Sequence, residues 1–236
     1  MNNYNNFSID SFCEDNFKFN NDYKLECIKW LNFIDKEKNK LESYIPRFTQ
    51  NADKIHEVLA EIKSAYFLEK RLGYKIIDFN VKTIKNKDVD FLMVNNKNDK
   101  IYCEVNCPNY LTDFPINERK SRKKLPKHIN GEIITTDTAR DIKTVIDKKY
   151  NKFFSNELNL LIIVPNKIVY FLDWPRSAKE KALYSTYGYF SNSLYKKLSG
   201  LLILEFKNIS YDFFKMEYKY IYEYYPNFNS NKLLEL

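Results

Sequence analysis

Residues 87–109 read KDVDFLMVNNKNDKIYCEVNCPN, two short apolar runs on either side of a polar turn. The spacing predicts strands over 88–94 and 101–106 joined through NNKNDK, a β-hairpin. Asp90 and Glu104 fall inside those strands, where a carboxylate is costly unless something compensates its charge. Side chains on a strand alternate between faces, so a register that sets Asp90 opposite Glu104, or one that sets Asp90 opposite Asn106, puts all three residues on one face. In the first of these registers the two acids have Cβ atoms about 5 Å apart. An odd register separates them.

Upstream of the hairpin, DYKLECIKWLNFIDKEKNKLESYI (22–45) carries Leu25, Ile28, Leu31 and Ile34 at helical spacing, a first helix that Pro46 interrupts. TQNADKIHEVLAEIKSAYFLEKRLG (49–73) repeats the pattern through Ile55, Leu59, Ile62 and Tyr66 and stops at Gly73. YKIIDFNV follows as a short strand. Downstream, residues 108–136 show no clean period and predict a long loop, and Thr136 or Thr138 caps a helix in which Ile142, Val145, Ile146 and Tyr150 share a face. LNLLIIVP (158–165) reads as a buried strand, KIVYFLDW (167–174) and LLILEFK (201–207) as further strands, 178–198 as a region for one more helix, and FKMEYKYIYEYY as a half-exposed final strand. This order predicts an α+β architecture, a mixed β-sheet flanked by helices. The expected organisation is an N-terminal extension over 1–50, with an Asn-rich unstructured start and one helix, and a single domain over 51–236 whose core spans 51–165.

The chain has 236 residues, 44% of them hydrophobic, with 19 Tyr and 18 Phe, which supplies ample apolar area for a core. A formal charge of +7 favours an anionic partner by long-range attraction, nucleic acid ahead of a membrane surface. No run reaches membrane-spanning length, and MNNYNNFSIDSF has neither the basic start nor the apolar stretch of a signal peptide, so a cytoplasmic location is expected. Cys13, Cys27, Cys103 and Cys107 form no CxxC pair. Reduced thiols are expected, and a zinc site from Cys103, Cys107 and His128 lacks the usual spacing and a fourth ligand.

Two facing carboxylates repel, and both stay ionised most readily when a cation lies between them. Hard oxygen donors suit Mg²⁺ or Mn²⁺, and such an ion can activate water against a phosphodiester. At this point the chain resembles the PD-(D/E)XK nuclease superfamily, with its restriction-endonuclease-like fold. LAEIKSAYFLEKRLGYKI resembles the family's first helix through Glu61, DVDFLMV its Asp strand through Asp90, and IYCEVNCPN its (Asp/Glu)-x-Lys strand through Glu104. DIKTVIDKKYNKFF and LNLLIIVP look like the closing helix and strand, so the likeness covers roughly 51–165. The resemblance implies Asp90 and Glu104 as metal ligands and Glu61 as a supporting acid. Asn106 stands where the family has Lys, and an amide supplies neither positive charge nor a base near neutral pH. A lysine from a helix can replace it. Lys148, Lys149 and Lys152 follow on the closing helix and Lys63 on the Glu61 helix, with Lys152 and Lys148 the preferred choices.

ERKSRKKLPKH brings Arg119, Lys120, Arg122, Lys123, Lys124 and Lys127 directly after the hairpin, as phosphate contacts in a nuclease or as a solvated charge run otherwise. YSTYGYF and YKYIYEYY can stack on unpaired bases, although packing on a sheet explains most such residues. The expected function is therefore a Mg²⁺- or Mn²⁺-dependent nuclease acting on DNA more readily than RNA. The alternatives are a relative that binds nucleic acid without chemistry, Asn106 being the lesion, and an interaction module that self-associates as a homodimer.

Overall fold

A computed structural model describes residues 7–18, 20–48, 52–82, 88–108, 142–165, 176–191, 193–209 and 217–236. The hairpin forms where the alternation puts it, from β2 (Asp88–Val94) and β3 (Lys100–Asn106), paired antiparallel. Its turn is organised by Asn95, whose Oδ1 accepts the backbone N–H groups of Lys97 and Asp99, both at 2.9 Å. Asn98 takes the left-handed conformation (φ 62°) that Asn tolerates better than most residues.

Six strands of the described residues form one mixed sheet in the order β1 to β6, with β1 at Lys75–Lys82, β4 at Leu158–Ile163, β5 at Gly200–Asn208 and β6 at Tyr218–Pro226. β3 runs parallel to β4, and β4 parallel to β5. A parallel neighbour requires a crossover, and the helix over residues 142–150 (α5) lies on the one between β3 and β4. All six residues of β4 are buried, as expected of a central strand covered on both faces. The fold is α+β.

By contacts the chain groups into two compact units, residues 1–75 with 205–221, and residues 76–204 with 222–236. The first unit holds α1 (Ile9–Phe17), α2 (Asn21–Asn32, continuing into a π-helical turn over Phe33–Glu37), α3 (Leu41–Phe48) and α4 (Ala52–Lys70). The N-terminal stretch is thus more structured than its composition predicts, with three helices before residue 50 in place of one. The polar residues that suggest disorder are caps: Ser8 Oγ accepts from Ser11 N–H at 3.4 Å, and Asn20 Oδ1 from Tyr23 N–H at 3.0 Å. Aromatic residues between them supply the apolar contacts, with the Phe12 ring 4.8 Å from that of Phe48. Pro46 lies inside α3 and does not end the preceding helix. α4 terminates as predicted at Gly73, whose φ of +78° suits glycine. Trp30 is wholly buried, donates from Nε1 to Tyr220 Oη at 2.6 Å and meets the edge of Phe206.

The second unit's core joins Ile142, Val145 and Ile146 of α5 to Leu161 and Ile163 of β4, Leu201 and Ile203 of β5, and Leu183 of α6 (Arg176–Tyr184). The helix expected over 178–198 is shorter, because Gly188 N–H closes a turn on Ser185 O at 2.7 Å and two 3-10 turns follow, Tyr189–Ser191 and Ser193–Tyr195. Of the aromatic residues in YSTYGYF, Tyr187 is strongly exposed, whereas Tyr184 and Tyr189 pack against the core. Among the described residues no helix is long and apolar enough to cross a membrane. The basic stretch with Arg119, Lys120, Arg122, Lys123, Lys124 and Lys127, the predicted loop beyond residue 108, His128, Thr136, Thr138 and the strand expected over 167–174 lie outside the described residues.

Candidate functional site

The register decides which acids meet. Phe91 faces Cys103 and Val94 faces Lys100, so continuing the ladder by one step sets Asp90 opposite Glu104. Asp90 is half-buried, and its Oδ2 accepts the Val105 N–H at 2.6 Å, which places the carboxylate against the peptide that follows Glu104. Asn106 is buried and comes two residues after Glu104, hence on the same face, with its backbone O accepting from Val164 N–H at 2.9 Å.

Glu104 is fully buried, with 0% of its side chain exposed. Both Lys149 Nζ and Lys152 Nζ donate to the same oxygen, Oε1, each at 2.6 Å. The other oxygen, Oε2, is buried and has no hydrogen-bond partner among the described residues. A buried carboxylate with one oxygen carrying two ammonium groups and the other carrying none is electrostatically lopsided. Native interiors rarely leave such an atom unsatisfied, so Oε2 points to a donor or cation that completes the site.

Helix α5 and the turn after it deliver the lysines. Lys149 follows Val145 by four residues and Ile146 by three, on the stripe that buries these residues against the sheet. A lysine within an apolar stripe was the available signal for this residue, which the preference for Lys148 and Lys152 passes over. Lys148 is exposed, as its place off that stripe requires. Lys152 sits on the turn that Lys152 N–H closes on Lys149 O at 3.0 Å. Asn159 holds the segment after this turn. It is the polar residue of the otherwise apolar β4, wholly buried, and its Nδ2 donates to Phe154 O at 2.8 Å, Glu157 O at 2.9 Å and Lys197 O at 2.8 Å. The Phe154 ring packs against that of Tyr102, tilted by 43° with ring centroids 4.3 Å apart, and anchors the same segment to β3.

Glu61 belongs to the first unit, where it is buried and Arg47 grips both its oxygens, Nη1 donating to Oε2 at 2.7 Å and Nη2 to Oε1. Lys63 is buried beside it in sequence, with Nζ 5.6 Å from the centroid of the Trp30 ring. Burial pushes the Cys103 thiol well above its ordinary pKa, and the negative charge of Asp90 adds to the effect. Cys103 is therefore a packed thiol that stays protonated near neutral pH and is a poor nucleophile.

Among the described residues no third His, Cys, Asp or Glu joins Asp90 and Glu104 in a metal-ligating group. The donors still fit a small hard cation, because Mg²⁺ is commonly held by one or two carboxylates with water and substrate phosphate filling its other positions. The buried, partnerless Oε2 of Glu104 is the atom best placed to serve as such a ligand. No family model matches this chain, and neither a curated protein nor a solved structure matches it.

Proposed function

We propose that the chain is a divalent-metal-dependent nuclease of the restriction-endonuclease-like kind, hydrolysing phosphodiester bonds in DNA more readily than in RNA. One observation carries this reading: a fully buried Glu104, opposite Asp90 in the hairpin register, keeps one carboxylate oxygen without a partner among the described residues. The antiparallel hairpin, the helix over 142–150 and the parallel strand after it support the reading through their order.

Asp90 and Glu104 would hold the ion, with Asn106 on the same face as a hydrogen-bonding amide. The chemistry that a bound Mg²⁺ or Mn²⁺ supplies is activation of a water nucleophile and charge stabilisation at the phosphoryl group. Lys149 and Lys152 bring to the site the positive charge that Asn106 lacks, and before an ion binds they orient Glu104 by donating to Oε1. The net charge of +7 suits a polyanionic substrate by long-range attraction.

Purified protein should degrade DNA in the presence of Mg²⁺ or Mn²⁺, and both Asp90→Ala and Glu104→Ala should reduce the rate by a factor on the order of 10² or more, as loss of a charge-stabilising group does. Unchanged cleavage in both variants would remove the site. A second reading has its own observation, namely that Lys149 and Lys152 already compensate Asp90 and Glu104 in formal charge. On that reading the cluster is structural and the protein binds nucleic acid without cleaving it, which salt-sensitive binding with no metal-dependent turnover would reveal.

A further inference from the structure

We propose that Lys149 and Lys152 are displaceable counter-ions that set, by competition, the affinity of Glu104 for a divalent cation. This inference rests on the cation site of the preceding reading and adds what controls its occupancy. Two ammonium nitrogens at 2.6 Å from a single oxygen lie no more than about 5 Å from each other, so each is held against the repulsion of its neighbour. A carboxylate that needed only neutralisation would spread two donors over its two oxygens. Here both crowd onto Oε1, and Oε2 has no partner among the described residues.

Exposure separates the partners in the same direction. The Glu104 side chain is 0% exposed and cannot turn to water, whereas Lys149 and Lys152 are 18% and 29% exposed and have solvent within reach of their flexible stems. The lysines are therefore the mobile members of the cluster. A divalent ion arriving at Oε2 adds positive charge beside both ammonium groups, which raises the cost of keeping them on Oε1. Binding of the ion and retention of the lysines oppose each other, and linkage makes the opposition reciprocal. Among the described residues, Asp90 and Glu104 on one side and the two lysines on the other sum to no formal charge, which lowers the pull of the two acids on a cation. A pair of unopposed carboxylates would instead capture cations whenever they were present.

Mn²⁺ binding to the full chain, followed by calorimetry, tests this. Lys149→Met and Lys152→Met should each tighten binding by about tenfold, the scale on which one neighbouring charge changes a carboxylate's affinity for a positive ligand. Lys149→Arg and Lys152→Arg should keep the wild-type affinity, and Glu104→Gln should abolish binding in every background. Unchanged or weaker binding in both Met variants, with wild-type Mn²⁺ binding intact, overturns the competition alone and leaves the nuclease reading standing. Absence of Mn²⁺ binding in all backgrounds, the double Met variant included, overturns both. A measurement on the unaltered chain avoids any loss of folding: the side-chain Nζ–H resonances of Lys149 and Lys152, protected by Glu104, should be lost on Mg²⁺ titration. Their retention at saturating Mg²⁺ overturns the proposal.

Discussion

Asp90 serves the fold and the proposed chemistry through different properties of one side chain. As an acceptor it satisfies the Val105 N–H at 2.6 Å; as a charge it faces Glu104 across the ladder. Substitution separates the two. Asp90→Asn keeps a carbonyl oxygen for Val105 and should change stability by less than about 1 kcal/mol, while removing metal-dependent cleavage. Asp90→Ala leaves the N–H of the buried Val105 without that acceptor and should cost about 1–3 kcal/mol as well. Urea unfolding of the two variants, set beside their cleavage rates, checks the division; equal destabilisation by Asn and Ala would show that the charge itself holds the strand. Residue identity made Asp90 and Glu104 legible in advance, because acids are conspicuous inside apolar runs. Lys149 was less so, since a lysine on a helix is ordinary until the stripe on which it lies is known to be buried.

At the scale of elements, periodicity located the strands and helices well, and close approach between them set details that periodicity does not carry. Gly200 opens β5, where a Cβ would come within 2.5 Å of the Tyr224 ring, and Tyr224 Oη in turn donates to Leu234 O at 2.5 Å. Gly200→Ala should therefore displace Tyr224 and the C-terminal segment, destabilising the protein by about 1–3 kcal/mol as overpacking does. Thermal unfolding measures the loss, and Gly200→Ala combined with Tyr224→Leu should recover part of it. α1 shows the converse limit of sequence reading. Its Asn- and Asp-rich surroundings suggest an unstructured start, yet Ser8 supplies an N-cap and Cys13 is buried. Composition averages over a window, whereas a cap and a buried face depend on single positions.

At the scale of the whole molecule, both units contain tyrosines that are buried or half-buried. Burial raises the phenol pKa of Tyr184, Tyr195 and Tyr225 in the second unit and of Tyr220 in the first, and a neighbouring carboxylate adds to it for Tyr195 (Asp147) and Tyr225 (Glu223). The folded state thus keeps protons that the unfolded chain releases near pH 10, the ordinary phenol value. Stability from these groups is fully present below that pH and is lost as pH rises above it, because there the unfolded state binds fewer protons than the folded one. Unfolding free energy should be level approaching pH 10 and then fall, with the phenolate absorbance of these residues appearing together with unfolding. Early titration of all tyrosines without unfolding would contradict this. The sequence by itself determined the hairpin, with Asp90, Glu104 and Asn106 inside or at the end of its strands, and the buried strand over 158–163, because side-chain alternation and apolar runs are local properties of the chain. Only the tertiary structure decided which register was taken, that Arg47 grips Glu61, and that Lys149 and Lys152 share one oxygen of Glu104. Those outcomes depend on which elements pack together, through contacts between residues up to 48 positions apart, and no local pattern in the chain encodes such pairings.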